Sequence, residues 1–123
     1  MTFIFGGAYQ GKLDIAMERT GLSPHDCCDC REGMNLSCTV LNHFEQQILR
    51  LVEQEGDVAS YMMQLLPQLS DKVIIMDDLS AGVVPMDATL RRWREETGRC
   101  AVLLSKNAHE VLRVFCGIAT KLK

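Results

Sequence analysis

The sequence predicts one α/β domain over residues 1–123, with a small, mostly parallel sheet of about four strands and helices on its faces. Three observations lead there. Short apolar runs rich in β-branched residues alternate with longer stretches whose apolar positions recur every three or four residues. Glycine or proline stands at most of the changeovers. The first apolar run enters a glycine-rich turn, GGAYQGK, directly ahead of a helical pattern.

Thr2 to Phe5 is the first strand, stopped by Gly6-Gly7. Lys12 to Arg19 places Leu13, Ile15, Ala16 and Met17 among charges and reads as a two-turn helix closed by Gly21 and Pro24. Asp26-Cys27-Cys28-Asp29-Cys30 suits a short second strand, and Gly33 to Ser37 a loop. From Leu41 the spacing Leu41, Phe44, Ile48, Leu51, Val52 predicts an amphipathic helix ended by Gly56. Asp57 caps the next helix, faced by Val58, Tyr61, Met62, Leu65, Leu66 and Leu69, which Pro67 kinks or ends early. Lys72-Val73-Ile74-Ile75-Met76 has the composition of a strand covered on both faces, with Asp77-Asp78 at its carboxyl end. Asp87 caps a long helix past Trp93 and Leu103, with Gly98 a weak point inside it. Val111 to Cys116 forms the last strand, ended by Gly117.

Thirteen basic and sixteen acidic residues give a net charge of −3, so no general attraction draws the chain to nucleic acid or an anionic membrane. The residues Met1 to Phe5 do not resemble a signal peptide, and no apolar run approaches the roughly 20 residues of a membrane span, so a cytoplasmic protein is expected. In that setting the six cysteines are expected to be reduced thiols.

Gly6-Gly7-Ala8-Tyr9-Gln10-Gly11-Lys12 satisfies G-x-x-x-x-G-K, between strand and helix as the motif requires. Glycines let successive N–H groups converge on phosphate oxygens, the helix start adds positive potential, and Lys12 supplies a full charge. Gly6 to Leu13 are therefore the candidate nucleotide-binding residues, with ATP or GTP as ligand. Leu13 stands where a Ser or Thr would ligate magnesium, which leaves the ion to the nucleotide, water and Asp77 or Asp78. Two other readings of the loop stay open: a plain glycine turn, and a phosphate site that has lost catalysis.

Elsewhere the chemistry is less pointed. His25, Cys27, Cys28, Cys30 and Cys38 have poor spacing for a tetrahedral ion, and a buried strand or redox-sensitive patch accounts for them better. Arg91, Arg92, Arg94 and Arg99 cannot share one helix face; with Glu95 and Glu96 nearby, salt bridges at a solvated or interface surface fit them.

Gly82-Val83-Val84-Pro85, Arg91-Arg92-Trp93-Arg94-Glu95, Gly98-Arg99, Ala108, Val111 and Gly117-Ile118 to Leu122-Lys123, with the opening GGAYQGK, resemble the bifunctional adenosylcobinamide kinase / adenosylcobinamide-phosphate guanylyltransferase family over residues 1–19 and 72–123. The resemblance implies a P-loop fold in which a nucleoside triphosphate phosphorylates the aminopropanol hydroxyl of adenosylcobinamide. Transfer of GMP through a guanylylated histidine follows, in cobalamin nucleotide-loop assembly. It also implies a homo-oligomer, a trimer, joined through the segment that GVVP introduces. The middle of the chain looks short against the family, and His43, the one histidine on the middle helix pattern, has Asn42 and Phe44 as neighbours and no basic cluster. The guanylyltransferase half is thus expected to be lost, and His43 reads as a polar helix-face residue. Where the family has Asn-Glu, this chain has Asp77-Asp78. Asp78 is the candidate to orient or deprotonate the attacking hydroxyl beside Lys12, and Asp77 to reach metal-bound water; capping the turn is the plainer role for both. The competing reading of the whole chain is a non-catalytic nucleotide- or corrinoid-binding module or assembly subunit.

Overall fold

A computed structural model of the chain describes residues 1–80 and 84–123. Gly82 and Val83 of the GVVP run lie outside the described residues.

Among the described residues, six strands and four α-helices follow one another: β1 Thr2–Gly6, α1 Lys12–Thr20, β2 Cys27–Asp29, β3 Val40–Asn42, α2 Phe44–Glu53, α3 Val58–Leu65, β4 Val73–Asp77, α4 Ala88–Asn107, β5 Glu110–Phe115 and β6 Ile118–Lys121. The strands form one sheet in the order β2-β3-β4-β1-β5-β6, parallel except for β6. β1 is central, with Phe3 opposite Ile74 of β4 and Val111 of β5.

The sheet has six strands, not the expected four. β3 was concealed because Leu41 fits the apolar spacing of the helix behind it. In the structure Leu41 pairs with Cys28 and Ile74, and α2 starts only at Phe44. The break is His43, whose φ of 55° is left-handed and cannot continue either element. β6 lies beyond Gly117, which read as a terminator. Cys116 and Gly117 instead have φ of 50° and 76° between the paired residues Phe115 and Ile118. Two positive φ values make a hairpin turn whose twist matches its strands, so the chain reverses instead of stopping.

Alternation along the strands divides the core into two layers. Phe3, Leu41, Ile74, Met76 and Val111 face α2, α3 and α4, where Phe44, Ile48, Met62 and Leu104 are buried. Ile4, Val40, Val73, Ile75, Leu112 and Val114 face α1 and its buried Ala16. Each fully buried Phe, Leu or Ile contributes on the order of 2 kcal/mol by leaving water, the main favourable term in the fold.

The helix ends follow local chemistry. Asp57 Oδ1 accepts from Ser60 N at 3.1 Å, and Asp87 Oδ1 from Leu90 N at 3.0 Å. Pro67 ends α3 as a 3₁₀ turn over Leu66–Leu69. Arg92 donates to the Gly56 carbonyl at 2.8 Å, Arg94 donates to the Ser80 carbonyl, and Arg99 pairs with Glu96 at 2.8 Å. Among the described residues, no helix is long and apolar enough to cross a membrane.

Candidate functional site

The parallel strands bring their carboxyl ends to one rim, and β1, β3 and β4 each hand over there to a turn or helix carrying a polar side chain. Open α/β sheets place ligands at this rim because helix N-termini converge on it.

The glycine loop leaves β1 at Gly6 and enters α1 at Lys12. Gly6 is buried against β5, and a Cβ there would meet the Val114 carbonyl oxygen at 2.2 Å, so no side chain fits. Gly11 takes a φ of 91°, and Tyr9, fully exposed, a φ of 59°. The β5–β6 turn braces the loop: Gly117 N donates to the Gln10 carbonyl at 2.8 Å and Cys116 N to Gln10 Oε1 at 2.6 Å. Gln10 is thereby committed to shaping the loop, while Ala8 and Tyr9 form its exposed tip. Leu13 packs into the α1-side core.

Lys12 is 6% exposed. Its Nζ donates to the Gly7 carbonyl at 2.6 Å and lies 2.8 Å from Asp77 Oδ1. A buried ammonium needs a compensating carboxylate, and Asp77 supplies it from the last position of β4. Asp78 N donates to the Gly6 carbonyl at 2.8 Å, which fastens β4's exit to β1. The Asp78 side chain is exposed, and its Oδ1 accepts from Ser80 N at 2.8 Å and Ser80 Oγ at 2.5 Å. Asp77 and Asp78 also line a cavity of about 220 Å³ with Phe5, Arg94, Thr97 and Ala101. A larger cavity of about 380 Å³ lies among Thr2, Val73 and Glu110 at the opposite, amino-terminal end of the sheet.

β3 and α2 add residues that sequence reading valued differently. His43 is not on a helix face; it precedes α2 in the left-handed conformation, with its N–H donated to Asn42 Oδ1 at 3.0 Å. The Nδ1 atom lies 3.2 Å from Asp29 Oδ1 without the alignment of a hydrogen bond, so it is buried and lacks a hydrogen-bond partner among the described residues. Glu45 in the first turn of α2 is 1% exposed. Its Oε2 accepts from Asp77 N at 3.2 Å, and its backbone carbonyl accepts from Trp93 Nε1 at 2.7 Å. Burial, reinforced by the Asp77 charge, raises the Glu45 carboxyl from 4.5 to about 7. Glu45 went unnoticed in the sequence although its signal was there, since it shares the apolar stripe of Ile48 and Val52.

Magnesium has no protein ligand at Leu13, and the Asp77 carboxylate is engaged by Lys12. Among the described residues, one set of three ligand-bearing side chains converges, His43, Glu45 and Asp77, with their ligand atoms within 4.8 Å of one another. An imidazole with two carboxylates suits a divalent ion. The six cysteines are free and supply no such set among the described residues.

A search of curated proteins gives no match. The model of the cobinamide kinase / cobinamide phosphate guanyltransferase family matches residues 32–122, and the glycine loop precedes that span. The chain is therefore P-loop NTPase-like in fold and belongs to the cobinamide kinase / cobinamide phosphate guanyltransferase family of cobalamin biosynthesis, which works with nucleoside triphosphates.

Proposed function

We propose that this chain is a cytoplasmic kinase that transfers the terminal phosphoryl group of ATP or GTP to the hydroxyl of adenosylcobinamide, and that it lacks the guanylyltransferase step. The observation that carries the reading is Lys12, buried at the sheet rim and held 2.8 Å from Asp77 at the foot of the glycine loop. In this reading the amides of Gly6 to Leu13 cradle the phosphates. Lys12 exchanges its Gly7 and Asp77 contacts for phosphate oxygens and neutralises charge that builds in the transition state. Asp78, exposed beside the cavity of about 220 Å³, orients the acceptor hydroxyl as it enters there. Asp77, once Lys12 turns to the phosphates, would hold the water shell of a magnesium ion, which would supply charge neutralisation when bound.

The loss of guanylyl transfer rests on His43. Its near neighbours are Asp29, Glu45 and Asp77, three carboxyl groups that oppose a triphosphate. Homo-oligomerisation, which the family resemblance makes a trimer, is supported by the exposed apolar side chains of Val84, within the GVVP run, and Met86, just after it. Leu13 favours a second reading, a module that binds nucleotide or corrinoid without turnover.

Incubating the protein with adenosylcobinamide, magnesium and radiolabelled ATP or GTP separates the two. Phosphorylated cobinamide is expected, with a Lys12→Ala variant slower by about 100-fold or more. Product no greater than with Lys12→Ala sinks the kinase. Nucleotide binding in calorimetry without product selects the binding module.

A further inference from the structure

The phosphoryl-transfer reading uses Lys12, Asp77 and Asp78 and leaves His43 and Glu45 without a task. One ring nitrogen of His43 and one carboxylate oxygen from each of Glu45 and Asp77 lie within 4.8 Å of one another. Ligands on an ion bound at about 2.1 Å stand about 3.4 Å apart in a tetrahedral set, so each of the three atoms has to move inward by less than about 1 Å to share one centre.

The three positions are held by the fold. Glu45, almost wholly buried, is fixed through the Asp77 N–H and, at its backbone carbonyl, through the Trp93 indole. His43 is kept at a φ of 55°, a conformation that few side-chain-bearing residues adopt unless something retains it. Its buried Nδ1 has no hydrogen-bond partner among the described residues, and the Asp29 carboxylate stands 3.2 Å away. A carboxylate beside the ring is the usual outer partner of a ligating imidazole, where it sets tautomer and orientation.

We propose that His43, Glu45 and Asp77 form a binding site for one divalent transition-metal ion that fills without nucleotide. The donor set makes the choice of class. Magnesium prefers oxygen ligands and retains its waters, whereas manganese, cobalt and zinc accept imidazole nitrogen. Two carboxylates balance the dication. The opposing group is Lys12, whose ammonium already sits 2.8 Å from Asp77 Oδ1 and competes with the ion for it. The claim rests on these side chains and not on phosphoryl transfer.

The test uses the full chain, freed of metal with a chelator and without nucleotide or corrinoid. Manganese(II) is titrated with free ion read by electron paramagnetic resonance, and cobalt(II) is followed by visible absorption. One manganese ion per chain is expected, retained against a tenfold excess of magnesium. His43→Gly removes the imidazole while glycine accepts the backbone angle freely, so the fold is kept and affinity drops at least about tenfold. Asp77→Asn weakens binding similarly, Lys12→Met tightens it, and His25→Ala, an exposed histidine outside the cluster, leaves it unchanged. The proposal is overturned if the folded parent binds neither ion, if magnesium displaces manganese at parity, or if His43→Gly binds as the parent does with an unchanged circular dichroism spectrum. An inactive kinase that binds manganese in this way refutes the function proposed above and leaves this site standing.

Discussion

Gly6→Ala is the substitution whose cost the structure defines best. A Cβ on Gly6 would stand 2.2 Å from the carbonyl oxygen of Val114 and 3.3 Å from its carbon. Both partners are backbone, on neighbouring parallel strands, so no side chain can swing aside. Ordinary carbon–oxygen contact requires about 1 Å of separation between the ends of β1 and β5, a local overpacking of about 3 kcal/mol. For a chain of 123 residues, with an unfolding entropy near 2.1 cal/mol/K per residue, that cost lowers Tm by about 10 °C. Gly7→Ala is the control. Its Cβ meets only Gln10 Cγ at 3.6 Å, ordinary contact, and alanine restricts the unfolded chain, so Tm should move by less than about 3 °C. Thermal unfolding followed by circular dichroism reads both. A Gly6→Ala protein melting within about 3 °C of the parent refutes the close approach of β1 and β5. Equal damage from both substitutions assigns the effect to the loop in place of the strand contact.

Two further predictions are independent of the assignment of activity. Glu45 binds its proton more tightly folded than unfolded, with its carboxyl raised from 4.5 to about 7. The contribution of Glu45 to stability is therefore full below pH 4.5, falls as pH rises toward 7 and stays lower beyond, by about 3 kcal/mol at about 1.4 kcal/mol per pH unit. Urea unfolding of metal-free protein should show this fall for the parent and not for Glu45→Gln, which is the more stable of the two at pH 8; parallel curves contradict it. The thiols should also divide by position. Cys116 is exposed, whereas burial pushes Cys100 up to about 12 and Cys30 well above the ordinary thiol range. Iodoacetamide at pH 8 should label Cys116 in native protein and reach Cys30 and Cys100 only after denaturation, as read by mass spectrometry; native labelling of Cys100 contradicts the burial.

Local chemistry made much of the fold legible in advance. β1, α1, α3 and α4 stand close to where capping residues put them, because each has its own start or stop signal, Gly6-Gly7, Gly21, Asp57 with Pro67, and Asp87, and β4 stands where its β-branched composition put it. β3 and β6 were hidden for a different reason. Val40–Asn42 is too short to show a period, and its strand character comes from lying between β2 and β4. Ile118–Lys121 is exposed throughout and becomes a strand only because the Cys116-Gly117 turn folds it onto β5.

The same division runs through the site. The sequence by itself determined a glycine loop ending in Lys12 and two aspartates at a strand's end, since motif and strand composition are local properties. Only the tertiary structure decided that Asp77 meets Lys12 while Asp78 turns back to Ser80, because the pleat sends successive side chains of an extended chain in opposite directions. It alone brought His43 and Glu45 to the same rim, 34 and 32 residues from Asp77 along the chain. Neither belongs to a local motif. They meet Asp77 because β3 lies beside β4 and carries the start of α2 to its carboxyl end.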